Sequence, residues 1–364
     1  MMLSPNRKES RMRARRWQVF LSVLLTIGVL ILAYIKRERI ALALSSLREA
    51  QPSWLVLALV LELSAFFLAS LVYNRVLRSL GYHMSALRLW AIALVAIILS
   101  QSVPAGGVAT YAFLVQSFKR RGIPPGHATL VASLEALSYA GAMLLLFGFS
   151  LGYLILRTGL NAAEDARSSL IAAGVAIVTI GAATFLLTRD QEVLTRWLVG
   201  LKNGVARLLR REWSDAPVHK LVDELARGRA LIAARPGEIA VLVLIQLAAL
   251  TVHSLALLVV LHSLGASTSL FVVMAGFGVA LITSTFNVLP GGGGTVEAAL
   301  VLSLTQLGVE AQAYVAALIF RIINFWMLAP VAAICYRLLN NNADSSTPPD
   351  APTRHEVQTP LARD

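Results

Sequence analysis

Glu62, Glu135 and Arg321 each interrupt a long apolar stretch, and Glu297 falls three residues after a run of four glycines. A lone charge at the centre of a membrane-spanning helix costs on the order of 3 kcal/mol or more, so each needs a partner or a task. Arg321 could meet an anionic group such as a phosphate, with Glu135 balancing it while the site is empty. Together they would form a gate or binding site, or else a permanent salt bridge. Glu297 could receive a cationic amine, or serve as an acid well placed at a helix N-terminus. Glu62 could carry a coupling proton, or face a helix partner while protonated. No HExxH pattern, nucleophile–base arrangement or metal-ligand cluster is visible, so an enzyme is not expected.

Two breaks accompany these charges. The first is Pro104-Ala105-Gly106-Gly107, and the sharper second is Asn287-Val288-Leu289-Pro290-Gly291-Gly292-Gly293-Gly294. Proline removes a backbone donor and glycine runs surrender helical order. Opened backbone at membrane depth is tolerated where it lines a cavity or is buried in protein. Paired Pro/Gly-interrupted segments point to a transporter's binding site. Helices starting after Gly106–Gly107 and Gly291–Gly294 would aim free amides at an anionic headgroup; close helix packing is the plainer role. No Walker lysine follows the glycines, and no cofactor is expected. Asn287 is kept among the candidates, although for it, as for Gln101, Asn324 and His253, an interhelical hydrogen bond is the ordinary role.

The elements that must hold these residues follow from composition. The chain is 57% apolar and only 14% charged, against roughly 25% charged in soluble domains, so it reads as an all-α polytopic membrane protein. Its net charge of +12 sits in short clusters between apolar stretches. That is the positive-inside pattern and not a nucleic-acid surface. Full spans of about 20 residues are expected near 17–35, 54–73, 128–156, 169–188, 238–264 and 313–338. The stretches 87–118 and 270–307 each read as a span-length helix, the break and a shorter helix, returning as a re-entrant hairpin. That makes about eight membrane segments. The basic residues 1–16 precede an uncleaved first span, and 340–364 read as a disordered tail. The block 189–236 reads as a cytoplasmic amphipathic helix or a packed linker.

A repeat is also visible. Pro52 and Pro236, like Gly81 and Gly265, lie 184 residues apart; Pro104 and Pro290, like Gly122 and Gly308, lie 186 apart. Glu62 then corresponds to Gln246, and Glu135 to Arg321. Keeping Arg75, Arg78 and Arg88 on the same side as Lys119–Arg121 makes 87–118 a hairpin. Both termini are then cytoplasmic, and the halves 17–156 and 169–339 are inverted repeats.

The string from Leu289 to Leu300, then Leu307-Gly308, then Ala316 to Trp326 with Arg321, resembles the membrane region of lysylphosphatidylglycerol synthases, also called flippase-like. There a Leu-Pro-Gly-Gly-x-Gly-x-x-Glu segment precedes a Gly and then an Arg on the next span. The first half departs from that pattern: Val108-Ala109-Thr110-Tyr111 stand where basic residues are usual, and Ala136 follows Glu135. Val296 replaces a frequent basic residue before Glu297. Fused members carry a cytosolic aminoacyltransferase domain, which is not expected from these residues. The resemblance implies translocation of an aminoacylated, anionic or other polar lipid across a bacterial plasma membrane. A transporter of a soluble anion, or a non-transporting partner of a lipid-synthesising enzyme, would use the same architecture.

Overall fold

Runs of Leu, Ile, Val and Ala bounded by proline at one end and glycine at the other fold as helices throughout. The computed structural model describes residues 51–102, 106–160, 235–284 and 294–341, together with 192, 193, 195–197, 199, 200 and 203. No strand occurs among the described residues. In chain order the helices are α1 (Pro52–Ser79), α2 (Ala86–Ser102), α3 (Gly106–Lys119), α4 (Pro125–Leu160), α5 (Pro236–Ser263), α6 (Leu270–Ser284), α7 (Thr295–Gln306), α8 (Glu310–Arg321) and α9 (Leu328–Asn341). A π turn, Ile322–Trp326, joins α8 to α9.

Four stretches are long and apolar enough to cross a membrane: Pro52–Ser79, Pro125–Arg157, Pro236–Ser263 and Glu310–Asn340. They coincide with four of the six expected full spans. The other two, 17–35 and 169–188, lie outside the described residues, as do most of 189–236 and the tail beyond residue 341. Of α2 and α6, 17 and 15 residues are described, roughly 25 and 22 Å at a 1.5 Å rise, and the residues that follow each lie outside the described ones.

The ends explain themselves locally. Proline opens α1, α4 and α5, where its missing N–H would have had no partner anyway. The ends of α1, α3, α5 and α7 share one cap. A glycine at φ 83, 79, 77 and 86° (Gly81, Gly122, Gly265, Gly308) reverses the chain. The next amide then bonds back five residues: Tyr82 to Leu77, Ile123 to Phe118, Ala266 to Leu261, Val309 to Leu304. A left-handed residue at this point satisfies carbonyls that the helix end leaves open. The order long helix, capped turn, short helix, short helix, capped turn, long helix thus occurs twice.

The two sets interleave. The helix α5 packs on α4 as well as on α6 and α8, and α9 packs on α2. One apolar core joins Phe66, Tyr73, Leu89, Ile92, Leu114 and Phe118 to Phe325 and Leu328. Outward, Val56, Val60, Leu145, Leu156, Phe271, Leu302 and Ile334 are exposed, the surface expected of a protein solvated by lipid. At one end Arg120 Nη1 donates to Asn340 Oδ1 at 2.7 Å, and Arg121 Nη2 to the Leu339 carbonyl at 3.1 Å. Burial lowers the pKa of Arg121, and repulsion from Arg88 and Arg120 adds to it. Arg88, in the first turn of α2, therefore meets Arg120 and Arg121, in the turn after α3, at one end.

Close approach of α6 to α4 depends on Gly278. A methyl group there would overlap Ser150 Oγ and lie 2.9 Å from the Leu146 carbonyl oxygen, a backbone atom that no rotamer change can move. Gly148, on α4, has nothing within 4 Å of such a methyl. Gly278→Ala is expected to destabilise the protein by about 1–3 kcal/mol through overpacking, while Gly148→Ala is neutral or stabilising by up to about 1 kcal/mol. Thermal midpoints of the two variants in detergent check the contrast.

Candidate functional site

Helical spacing brings the polar residues to one place. The buried stripe of α1 runs Ala58, Glu62, Ala65, Phe66, Ala69, and that of α5 runs Gln246, Ala249, Leu250, His253, Leu257. Steps of three and four residues make each a single helix face, so Glu62 and His253 fall on the sides that face protein. Gln101 sits in the last turn of α2. Glu297 is the third residue of α7, whose N-cap is Gly294 at φ 86°. Arg321 ends α8, and Asn324 lies in the π turn after it.

The π turn has a chemical cause. Pro330 has no N–H to give Trp326, and its ring crowds that carbonyl. Met327 N–H instead bonds the Ile322 carbonyl at 2.8 Å, one residue farther back than in an α-helix. The wider turn spreads Arg321 and Asn324 further apart around the axis than an α turn would. Arg321 is directed to α7 and Asn324 to α1.

Six side chains from six elements then form a connected chain. Arg321 Nε lies 3.1 Å from Glu297 Oε1, and its Nη1 donates to Gln101 Oε1 at 2.7 Å. Gln101 Nε2 donates to Asn324 Oδ1 at 3.5 Å, the longest link. Asn324 Nδ2 donates to Glu62 Oε2 at 2.7 Å, and His253 Nδ1 lies 2.8 Å from the same oxygen. The direction of the chain is forced from its ends. Guanidinium has donors only, so Gln101 must turn its oxygen to Arg321 and its amide nitrogen to Asn324. Asn324 must then offer its oxygen to Gln101 and its nitrogen to Glu62. Every dipole points the same way, from cation to carboxylate.

Burial sharpens the electrostatics. Glu62 is fully buried, while the Arg321 and Glu297 side chains retain 16% and 18% exposure. Two carboxylate oxygens, Glu62 Oε1 and Glu297 Oε2, are buried with no hydrogen-bond partner among the described residues. The Arg321 guanidinium also lies 4.6 Å from the centre of the Phe325 ring, a favourable cation–π distance. Phe66 meets the His253 ring edge-on at 5.3 Å.

Of the residues singled out by sequence, the structure joins Arg321, Glu297 and Glu62. The ion pair it gives Arg321 is with Glu297, because the first turn of α7 abuts the end of α8. Glu135 stands half-buried on α4, with the Tyr73 and Tyr139 hydroxyls in its electrostatic reach. Among the described residues no hydrogen bond or ion pair links it to Arg321. Gly106 and Gly107 open α3, and Gly294 caps α7. Pro104, Asn287, Pro290, Gly291, Gly292 and Gly293 lie outside the described residues. Gln101, Asn324 and His253 do make interhelical hydrogen bonds, as their types suggest, but those bonds are the links between the charged groups. Their shared signal was a polar residue within an apolar stretch, which for His253 falls on the buried stripe of its helix.

Asn324→Leu cuts the chain and removes a donor from the buried Glu62 carboxylate, at a cost of about 1–3 kcal/mol. Ser64→Ala, which removes an exposed bond to the Val60 carbonyl, is expected to stay within about 0.5 kcal/mol of wild type. Thermal unfolding of the two variants side by side checks the difference.

Comparison with known proteins bears on both fold and site. A family model described as the lysylphosphatidylglycerol synthase TM region matches residues 19–332. A UPF0104 membrane protein of Methanothermobacter thermautotrophicus is 24% identical over 309 residues, 80% of this chain and 87% of that protein. The family match takes in all six linked side chains and every helix but the end of α9. With four span-length apolar stretches among the described residues, this is an integral membrane protein, and it belongs to the lysylphosphatidylglycerol synthase transmembrane-region family.

Proposed function

We propose that the chain translocates a polar lipid, its headgroup passing the Arg321–Glu297 pair while its acyl tails stay in hydrocarbon. The observation that carries this reading is the pair itself. A guanidinium buried among apolar helices is held by a carboxylate with one oxygen left unsatisfied. A phosphodiester offers Arg321 the same acceptor geometry as Glu297. An aminoacyl ammonium would suit the freed Glu297. The pair therefore complements both ends of an aminoacylated headgroup, and its cationic half fits a plain anionic lipid. The family's name, with lysylphosphatidylglycerol in it, supports a lipid over a soluble solute.

The transport scheme is an inverted repeat. Matching helix order and glycine caps in 52–125 and 236–310 support two equivalent sets. The meeting of Arg88, Arg120 and Arg121 at one end supports α2 and α3 as a hairpin that enters and returns. In this scheme α6 and α7 form the second hairpin. Two further spans complete about eight segments, both termini are cytoplasmic, and the host membrane is a bacterial plasma membrane. One set would rock against the other around the fixed site.

Leaflet exchange of headgroup-labelled phosphatidylglycerol and its lysyl ester in proteoliposomes tests the reading, with a membrane-impermeant quencher as readout. Arg321→Ala is expected to slow both lipids at least about tenfold, from the loss of a charge-assisted contact worth roughly 1.5–3 kcal/mol. Glu297→Gln is expected to slow the lysyl ester more than the plain lipid. Exchange equal to empty liposomes, with uptake of a soluble anion into the same vesicles, would overturn the lipid assignment in favour of solute transport.

A further inference from the structure

Glu62 has no part in holding a headgroup, yet it is the most deeply buried charge among the described residues and half of its carboxylate is unsatisfied. We propose that Glu62 and His253 form a proton-binding site, wired through Asn324 and Gln101 to Arg321, which takes up one proton for each anionic headgroup that Arg321 receives. The coupling to lipid rests on the reading of Arg321 as the headgroup site. The proton site itself rests on geometry alone.

With His253 neutral, Arg321, Glu297 and Glu62 sum to one negative charge. An anionic headgroup adds a second inside an apolar bundle, where uncompensated charge is expensive. Within the chain, His253 is the base that can answer. With Glu62 ionised, Nδ1 carries the hydrogen given to Glu62 Oε2 at 2.8 Å, so the incoming proton adds to the lone pair on Nε2 and no other bond breaks. The resulting imidazolium lies against a carboxylate whose second oxygen, Oε1, lacks any hydrogen-bond donor. Access is also graded: the His253 side chain is 10% exposed and that of Glu62 not at all. The proton enters through the imidazole.

The wire gives the coupling its direction. While Arg321 polarises Gln101 and Asn324, the Asn324 amide donates strongly to Glu62 at 2.7 Å. A phosphate that captures the guanidinium withdraws that polarisation, and Glu62 then gains more from a cation on His253. The Gln101–Asn324 contact, at 3.5 Å, is the link where the two sites separate. Other titratable groups on the packed elements include Glu297 on α7, Glu135, Tyr139, His127, Tyr153 and Arg157 on α4, Glu310 and Tyr314 on α8, and Tyr73, Arg75 and Arg78 on α1. Phe66 and Phe277 flank the imidazole itself.

Two measurements separate this proposal from the lipid reading. In the first, short-chain phosphatidylglycerol is added to the purified protein in weakly buffered detergent, and proton uptake is read by a pH dye across about pH 5–8, the range in which histidine changes charge. Wild type is expected to take up about one proton per chain, and Glu62→Gln and His253→Gln none. The amide in Glu62→Gln keeps an acceptor for Asn324, so folding is preserved. No uptake by wild type, or uptake unchanged in both variants, overturns the proton site. In the second, exchange of the same lipid class is followed in vesicles with an imposed pH difference. One proton per lipid anion is electroneutral, so the steady-state leaflet ratio should change about tenfold per pH unit and ignore membrane potential. A symmetric end point despite rapid exchange overturns the coupling and leaves translocation standing. Proton uptake without exchange supports the site and removes translocation.

Discussion

The energetic constraint that organises this protein is the price of an ion in a low-dielectric bundle. Arg321 and Glu62 cannot be left alone among apolar helices, and the fold answers with a directed chain of hydrogen bonds between them. That requirement fixes more than two side chains. It demands that α2 end beside the α8–α9 junction, so that Gln101 can reach both Arg321 and Asn324. It also demands that α1 and α5 face each other at Glu62 and His253. The breaks in regular helix are where these demands are met. The π turn re-aims Asn324, and the left-handed Gly294 starts α7 where its third residue reaches Arg321.

A satisfied ion pair is also an exchangeable one. Glu297 holds Arg321 with a single oxygen while its other oxygen has no donor. The site is compensated but not saturated, as the proposed exchange of a headgroup would require. A fully satisfied bidentate pair would hold the bundle closed more firmly. The slack at Glu297 Oε2, at Glu62 Oε1 and in the long Gln101–Asn324 contact lies along one path, which is why the two ends can be read as one device.

Much of this was legible in the sequence. Charge interrupting an apolar run flagged Glu62, Glu135 and Arg321, and the glycine run before it flagged Glu297. Four of the spans followed from length and apolarity. The glycines 184 and 186 residues apart marked turns that prove to share one cap. The partner of Arg321 was not legible: matching positions in a repeat favoured Glu135, whereas packing of the α7 start against the α8 end selects Glu297. Helix geometry alone does not say which of two distant acids comes near. Nor did an isolated Asn, Gln or His advertise its place, since such residues in spans usually bond a neighbouring helix. Only the three-dimensional juxtaposition reveals that four such bonds share their ends.

The central claim is that Arg321 and Glu62 act as one unit although neither touches the other. A double-mutant cycle of Arg321→Gln and Glu62→Gln, read by reversible unfolding in bicelles, tests it most directly. Connection through Gln101 and Asn324 predicts a coupling energy of at least about 0.5 kcal/mol, the double variant losing less than the two single losses together. Additivity within about 0.3 kcal/mol would mean two independent sites and would contradict the account.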